Sequence, residues 1–218
     1  MRNRAGLRAV VATASAVAAV AVATPAHASP VTVISQGHVD AVDVGFENGH
    51  LEIVIHDERT EPGVELDPAK VLLVAKKQSK TQVPNDPAFS FLGTPGASVY
   101  LLPETQDPTL LWPGLSTEDI EPGVFRNDAV TIRFKQVIGP DGVSLFTFNP
   151  DGSPNKLVDS EDGLPDNVVL QAGAHVHENW AFEKSGEYKI KVDATAKLAS
   201  TGATVTAPAV WITFCVQK

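Results

Sequence analysis

A single cysteine, Cys215, is all the thiol in the chain. That excludes an internal disulfide and any metal finger or cluster built on paired cysteines. A metal site here has to use nitrogen and oxygen donors. Basic residues are also few: 17 Lys and Arg stand against 26 Asp and Glu, for a net charge of −9. With no Lys/Arg cluster to offset phosphate charge, nucleic acid and anionic membrane surfaces are excluded as partners. The sequence has no Gly-x-Ser-x-Gly elbow for a serine nucleophile, no calcium-loop spacing and no phosphate-cradling glycine loop. Acidic runs such as Thr117-Glu118-Asp119 and Ser160-Glu161-Asp162 read as solvated loops rather than glycosidase carboxylates.

The one long apolar run lies at the start. Arg2, Arg4 and Arg8 form a basic head, Ala9 to Thr24 is rich in Ala and Val, and Ala26-His27-Ala28 supplies a small-x-small cleavage pattern. Residues 1–28 are therefore expected to be a secretory signal peptide, too short and Ala-rich for a membrane span. Residues 29–218 would then form one domain, secreted or associated with the cell surface, with no membrane insertion after cleavage. Three of the 17 basic residues and none of the acids leave with the signal, so the remainder is more acidic still.

Helical periodicity is missing from that remainder. Short alternating or apolar runs sit instead between Gly, Pro, Asn and Asp clusters, the pattern of an all-β chain. Asn48-Gly49 between Val39–Phe46 and Leu51–His56 is a strong two-residue hairpin signal. It pairs Glu47 with His50, sets Phe46, Val44 and Val42 against Leu51, Ile53 and Ile55, and places His56 opposite Ala41. Further strands are expected at 71–75, 99–102, 129–138, 143–148, 168–170, 175–182, 187–194 and 209–216. Gly186-Glu187-Tyr188 matches a turn-anchored tyrosine of immunoglobulin-like domains. The expected fold is all-β, an immunoglobulin-like antiparallel β-sandwich of two sheets with long loop insertions. Residues 84–96 and 103–123 are read as those insertions, functional or self-packed. Trp112 in the second would plug its loop onto the sandwich or offer an aromatic platform to a sugar.

Histidine is sparse as well. Of six in the chain, His27 falls in the signal, and two of the other five stand in His175-Val-His177. In an extended chain, residues two apart share a face, so this pair offers two imidazoles to one ion. His38 opens the first long strand in Gly37-His38-Val39-Asp40 and can reach a site from the sandwich rim. Asp40 shares its face, as a ligand or as a group that orients a ligand imidazole. His56 joins them only if a bulge reverses its face. His50 beside the turn reads as solvated.

Gly37-His38-Val39-Asp40, Ile55-His56-Asp57-Glu58, Leu110-Leu111-Trp112-Pro113-Gly114 and Asp162-Gly163-Leu164-Pro165 together resemble a known group, as does His175-x-His177-x-Asn179-Trp180-x-Phe182-x-x-x-Gly186-x-Tyr188. The chain resembles, over nearly its whole mature length, the actinobacterial surface-anchored domain associated with an ABC transporter (the choice-of-anchor M domain). The resemblance implies an extracellular receptor for a transporter similar to zinc or manganese importers, with envelope ABC-transporter components as partners. It implies His38, His56, His175 and His177 as metal ligands. No sorting tail is apparent, so a secreted product is expected.

The function expected from sequence is thus capture of one transition-metal ion, zinc before copper or manganese, at His38, His56, His175 and His177 with Asp40, without catalysis. An adhesin or carbohydrate-binding module using Trp112 is the alternative. A copper oxygenase would need His27 at the mature N-terminus, which cleavage after Ala28 removes.

Overall fold

The structure, a computed structural model, describes residues 31–218. The expected signal peptide lies outside the described residues. The first strands are β1 (Thr32–Ile34), β2 (Gly37–Glu47), β3 (His50–Asp57), β4 (Val64–Leu66) and β5 (Val71–Ala75). There follow β6 (Lys80–Gln82), β7 (Ser98–Leu102), β8 (Leu111–Ser116), β9 (Phe125–Ile138), β10 (Val143–Phe148) and β11 (Pro154–Asp159). The chain closes with β12 (Asp166–Gln171), β13 (His175–His177), β14 (Asn179–Phe182), β15 (Gly186–Leu198) and β16 (Thr204–Val216).

The all-β sandwich is as expected from the alternation, but it has three sheets rather than two. Their orders are β1-β5-β16-β15-β9-β12, β11-β10-β14-β7-β6 and β13-β8-β2-β3-β4. Nor is it wholly antiparallel, because β1 and β16 both pair parallel with β5, and β2 pairs parallel with β8. The chain changes partners at Glu178 and so joins the third sheet to the second. His175–His177 pairs with β8, whereas Asn179–Phe182 pairs with β7 and β10. A segment that reads as one strand in sequence is therefore two.

Apolar faces of the sheets meet in a main core, beside a smaller cluster of Val83, Leu92, Val99, Phe146 and Ala181. Trp180, fully buried, packs on Phe134 and Phe214, and Phe182 packs on Tyr188. Each such side chain contributes roughly 1.5–3 kcal/mol by leaving water. The Tyr188 hydroxyl donates to the Lys184 carbonyl at 2.9 Å and accepts from the Lys184 amide at 3.1 Å, so the turn before β15 is tied to its own strand. Residues 84–96 are self-packed as expected. A 3₁₀ helix, Pro87–Leu92, is capped by Asp86 and helps seat Phe89 and Phe91 against Phe146.

The hairpin turn has positive φ at both Asn48 and Gly49, as a two-residue primed turn requires. Glu47 pairs with His50, Phe46 with Leu51 and Val44 with Ile53, in the expected register. The register then shifts between Asp43 and Asp40, so that His56 stands opposite Asp40 rather than Ala41. A bulge adds one residue to β2 and moves everything beyond it to the other face. His38, Asp40 and Asp43 consequently share one face of the sheet.

A second correction concerns residues 103–123, which are not all loop. Leu111–Ser116 forms β8, a central strand between β2 and β13. Pro113 and Gly114 disguise it, since proline gives nothing to a ladder and glycine weakens one. In the fold the Pro113 carbonyl faces His177, and Gly114 lies where a side chain would not fit.

Candidate metal centre

Strand register alone assembles the site. Along one row across β3, β2, β8 and β13 stand His56, Asp40, Gly114 and His177. The next row carries Asp43, Ser116 and His175, and the row on the other side pairs His38 with Trp112. Gly173, with φ of 76°, turns the chain into β13 and so aims His175 and His177 at β2.

Ligand atoms of His38, Asp40, His175 and His177 all lie within 4.8 Å of one another. The His38 and His175 Nε2 atoms are 3.0 Å apart. Asp40 Oδ1 is 2.9 Å from His175 Nε2 and 3.7 Å from His38 Nε2. Bonds of ~2.0–2.1 Å to a tetrahedral zinc ion imply ligand separations of about 3.4 Å, which these distances bracket.

Each imidazole has its other nitrogen engaged. His38 Nδ1 contacts Glu58 Oε2, His175 Nδ1 is 3.2 Å from Glu118 Oε2, and His177 Nδ1 donates to the Pro113 carbonyl at 3.1 Å. Giving Nδ1–H to an oxygen leaves the Nε2 lone pair facing inward and fixes the ring, as in known metal sites. The His177 ring also lies flat on the Trp112 indole, with centroids 3.4 Å apart and planes within 6°. The indole Nε1 donates to the Glu104 carbonyl at 2.9 Å. Trp112 is thus a wall of this site, with one face already covered by His177.

Three of the inner atoms are left without a hydrogen bond, while His38 Nε2 and His175 Nε2 meet each other at 3.0 Å. Asp40 is fully buried, yet neither carboxylate oxygen has an aligned hydrogen bond, and His177 Nε2 has none. The 2.9 Å approach of His175 to Asp40 is close without hydrogen-bond alignment, so we read it as an electrostatic contact. Burying an ionised carboxylate unpaired costs several kcal/mol, and native structures avoid it. A cation among the four groups would engage His177 Nε2 and one of the two Asp40 oxygens.

Protonation follows the same geometry. Burial raises the Asp40 pKa, but contact with His175 and His38 outweighs it and brings the group down to about 2. His175 is pushed up to about 9, chiefly by Asp40, against burial and with help from Glu118 and Glu58. His177 is pushed down to about 4 by burial, with the Pro113 contact opposing and the charges of His38 and His175 adding. Burial lifts Asp43 to about 6, Ser116 opposing and the Asp40 charge adding. Burial lifts Glu178 to about 8, with Glu104 adding. At neutral pH and without a bound ion the site would therefore hold an anionic Asp40, a protonated His175 and a neutral His177. The proton on His175 stands where a metal ion would.

Of the five residues expected from sequence, four meet. His56 belongs instead to a neighbouring group with Asp40 and Glu58. Glu58, Glu118 and Gly114 play parts that sequence reading missed. The two glutamates looked like ordinary surface acids, and the glycine looked like a loop. In comparisons with known proteins, no family model and no curated protein matches the chain.

Proposed function

We propose that the protein captures one transition-metal ion, zinc first, through His38, Asp40, His175 and His177. The observation that carries this reading is the fully buried Asp40 carboxylate, with no aligned hydrogen bond to either oxygen, facing three oriented imidazoles. Three borderline nitrogens and one carboxylate suit zinc, whereas manganese would favour more oxygen donors. Four protein donors fill a tetrahedral shell, which favours holding the ion over catalysis with it. The resemblance of its sequence motifs to those of transporter-associated surface domains is the ground for placing it in the envelope, presenting the ion to an ABC importer.

Calorimetric titration of zinc into the metal-free protein tests the reading. Wild type is expected to bind stoichiometrically, and the His175→Ala/His177→Ala double variant to lose that binding. Zinc needs neutral imidazole. His175, with its pKa near 9, has to lose a proton, whereas His177, near 4, does not. Apparent affinity should rise with pH up to about 9 and then level, and binding at pH 7 should release a proton, read from buffers of different ionisation enthalpy. Binding by the double variant equal to wild type would refute the reading.

A further inference from the structure

We propose that Asp40 bridges to a second divalent cation, held by His56 and Glu58 with Asp43 at its edge. The proposal rests on the first ion occupying the site of His38, Asp40, His175 and His177, and adds a neighbour to it.

The donor atoms of Asp40, His56 and Glu58 lie within 4.8 Å of one another. His56 Nδ1 is 3.9 Å from Glu58 Oε1 and 4.0 Å from Asp43 Oδ2. Donors on opposite sides of a small divalent ion, with bonds of ~2.0–2.1 Å, lie up to about 4.2 Å apart. Those gaps are too long for hydrogen bonds and the right width for an ion. The orientation of the ring agrees. His56 Nε2 is packed over Gly63, where a Cβ would come within 2.3 Å, so Nδ1 is the nitrogen turned to the carboxylates.

Asp40 supplies the independent observation. It is fully buried, and neither of its oxygens has an aligned hydrogen bond. One ion among the three imidazoles engages one oxygen and leaves the other orphaned in the interior. A second ion on the His56 side satisfies it, and the bulge in β2 is what sets Asp40 beside His56. Glu58 serves both sides: one oxygen contacts His38 Nδ1 and the other faces His56. This second donor set has three carboxylates for one imidazole, harder than the first, and so suits manganese better than copper.

The test loads the protein with one equivalent of zinc, titrates Mn²⁺ alone, and follows the signal of free Mn²⁺ by electron paramagnetic resonance. Zinc content is measured in parallel. Wild type is expected to take up one equivalent of Mn²⁺ and keep its zinc. His56→Ala should keep zinc and lose the manganese, and the near-isosteric Asp43→Asn should weaken manganese uptake about tenfold. No uptake by zinc-loaded wild type, or equal uptake by His56→Ala, overturns the second site and leaves the first standing. Loss of zinc from His56→Ala also overturns it, by making His56 a ligand of a single ion. Failure of wild type to hold zinc at all removes the reading on which the second site rests.

Discussion

Replacing Asp40 with asparagine is expected to weaken zinc binding by more than about 100-fold, beyond the ~10–100-fold cost of losing an outer partner of a metal ligand. The side chain keeps its shape and loses its charge, so the change isolates what the carboxylate does for the ion. Zinc at about 1,000 times its Kd stabilises a folded protein by ~4.1 kcal/mol, and a hundredfold loss of affinity removes about 2.7 kcal/mol of that. For a domain of this size, ~2–4 °C of melting temperature correspond to each kcal/mol. Wild type should therefore melt roughly 8–16 °C higher with zinc than without, and Asp40→Asn should lose most of the rise. The zinc-free proteins should differ less, because His175 can give up its proton once the charge of Asp40 is gone, so that no charge is left buried unpaired. Scanning calorimetry with and without zinc measures both. A full zinc-dependent rise in the variant would show that Asp40 is not a ligand.

Gly114→Ala should abolish zinc binding without touching a ligand. A Cβ there would lie 2.8 Å from Asp40 Oδ1, 3.0 Å from His177 Cε1 and 3.0 Å from the Val176 carbonyl. The carbonyl is part of the β13 backbone and gives least, so the carboxylate and the imidazole must move apart. The rest of the sheet should survive, since overpacking of this kind costs ~1–3 kcal/mol. Gly45→Ala, on β2, is the control. Its Cβ would meet nothing closer than Glu52 Cγ at 3.6 Å, an ordinary contact, and zinc binding should persist. Titration of both variants, with circular dichroism to show that they are folded, decides the point. Wild-type affinity in Gly114→Ala would mean that the site does not need this close approach.

The parts of the fold governed by local chemistry were legible in the sequence. Asn48-Gly49 sets its own turn, and strict alternation around it sets the register as far as Asp43. Strands at 71–75 and 143–148 stand where their apolar runs place them. His175 and His177 share a face because β geometry makes any i, i+2 pair do so. Non-local choices were not legible. The bulge in β2 costs one residue and leaves no distinctive composition, yet it decides that His56 sits beside Asp40. Strand β8 carries Pro113-Gly114, two residues that argue against a central strand on propensity. They are tolerated because the Pro113 carbonyl receives His177 and Gly114 makes room for the ligands. Glu58 and Glu118 gain their meaning only when folding brings them to the outer nitrogens of His38 and His175. The sequence thus showed the imidazoles, whereas the groups that orient them depend on tertiary pairing.

Zinc K-edge absorption fine structure, measured on protein loaded with one equivalent of zinc at neutral pH, tests the central claim most directly. Three imidazoles and one carboxylate oxygen at ~2.0–2.1 Å are expected, with the outer-ring scattering of histidine reduced by one imidazole in His177→Ala. A shell of five or six oxygens with no imidazole scattering, unchanged in that variant, would contradict the assignment of the ion to His38, Asp40, His175 and His177.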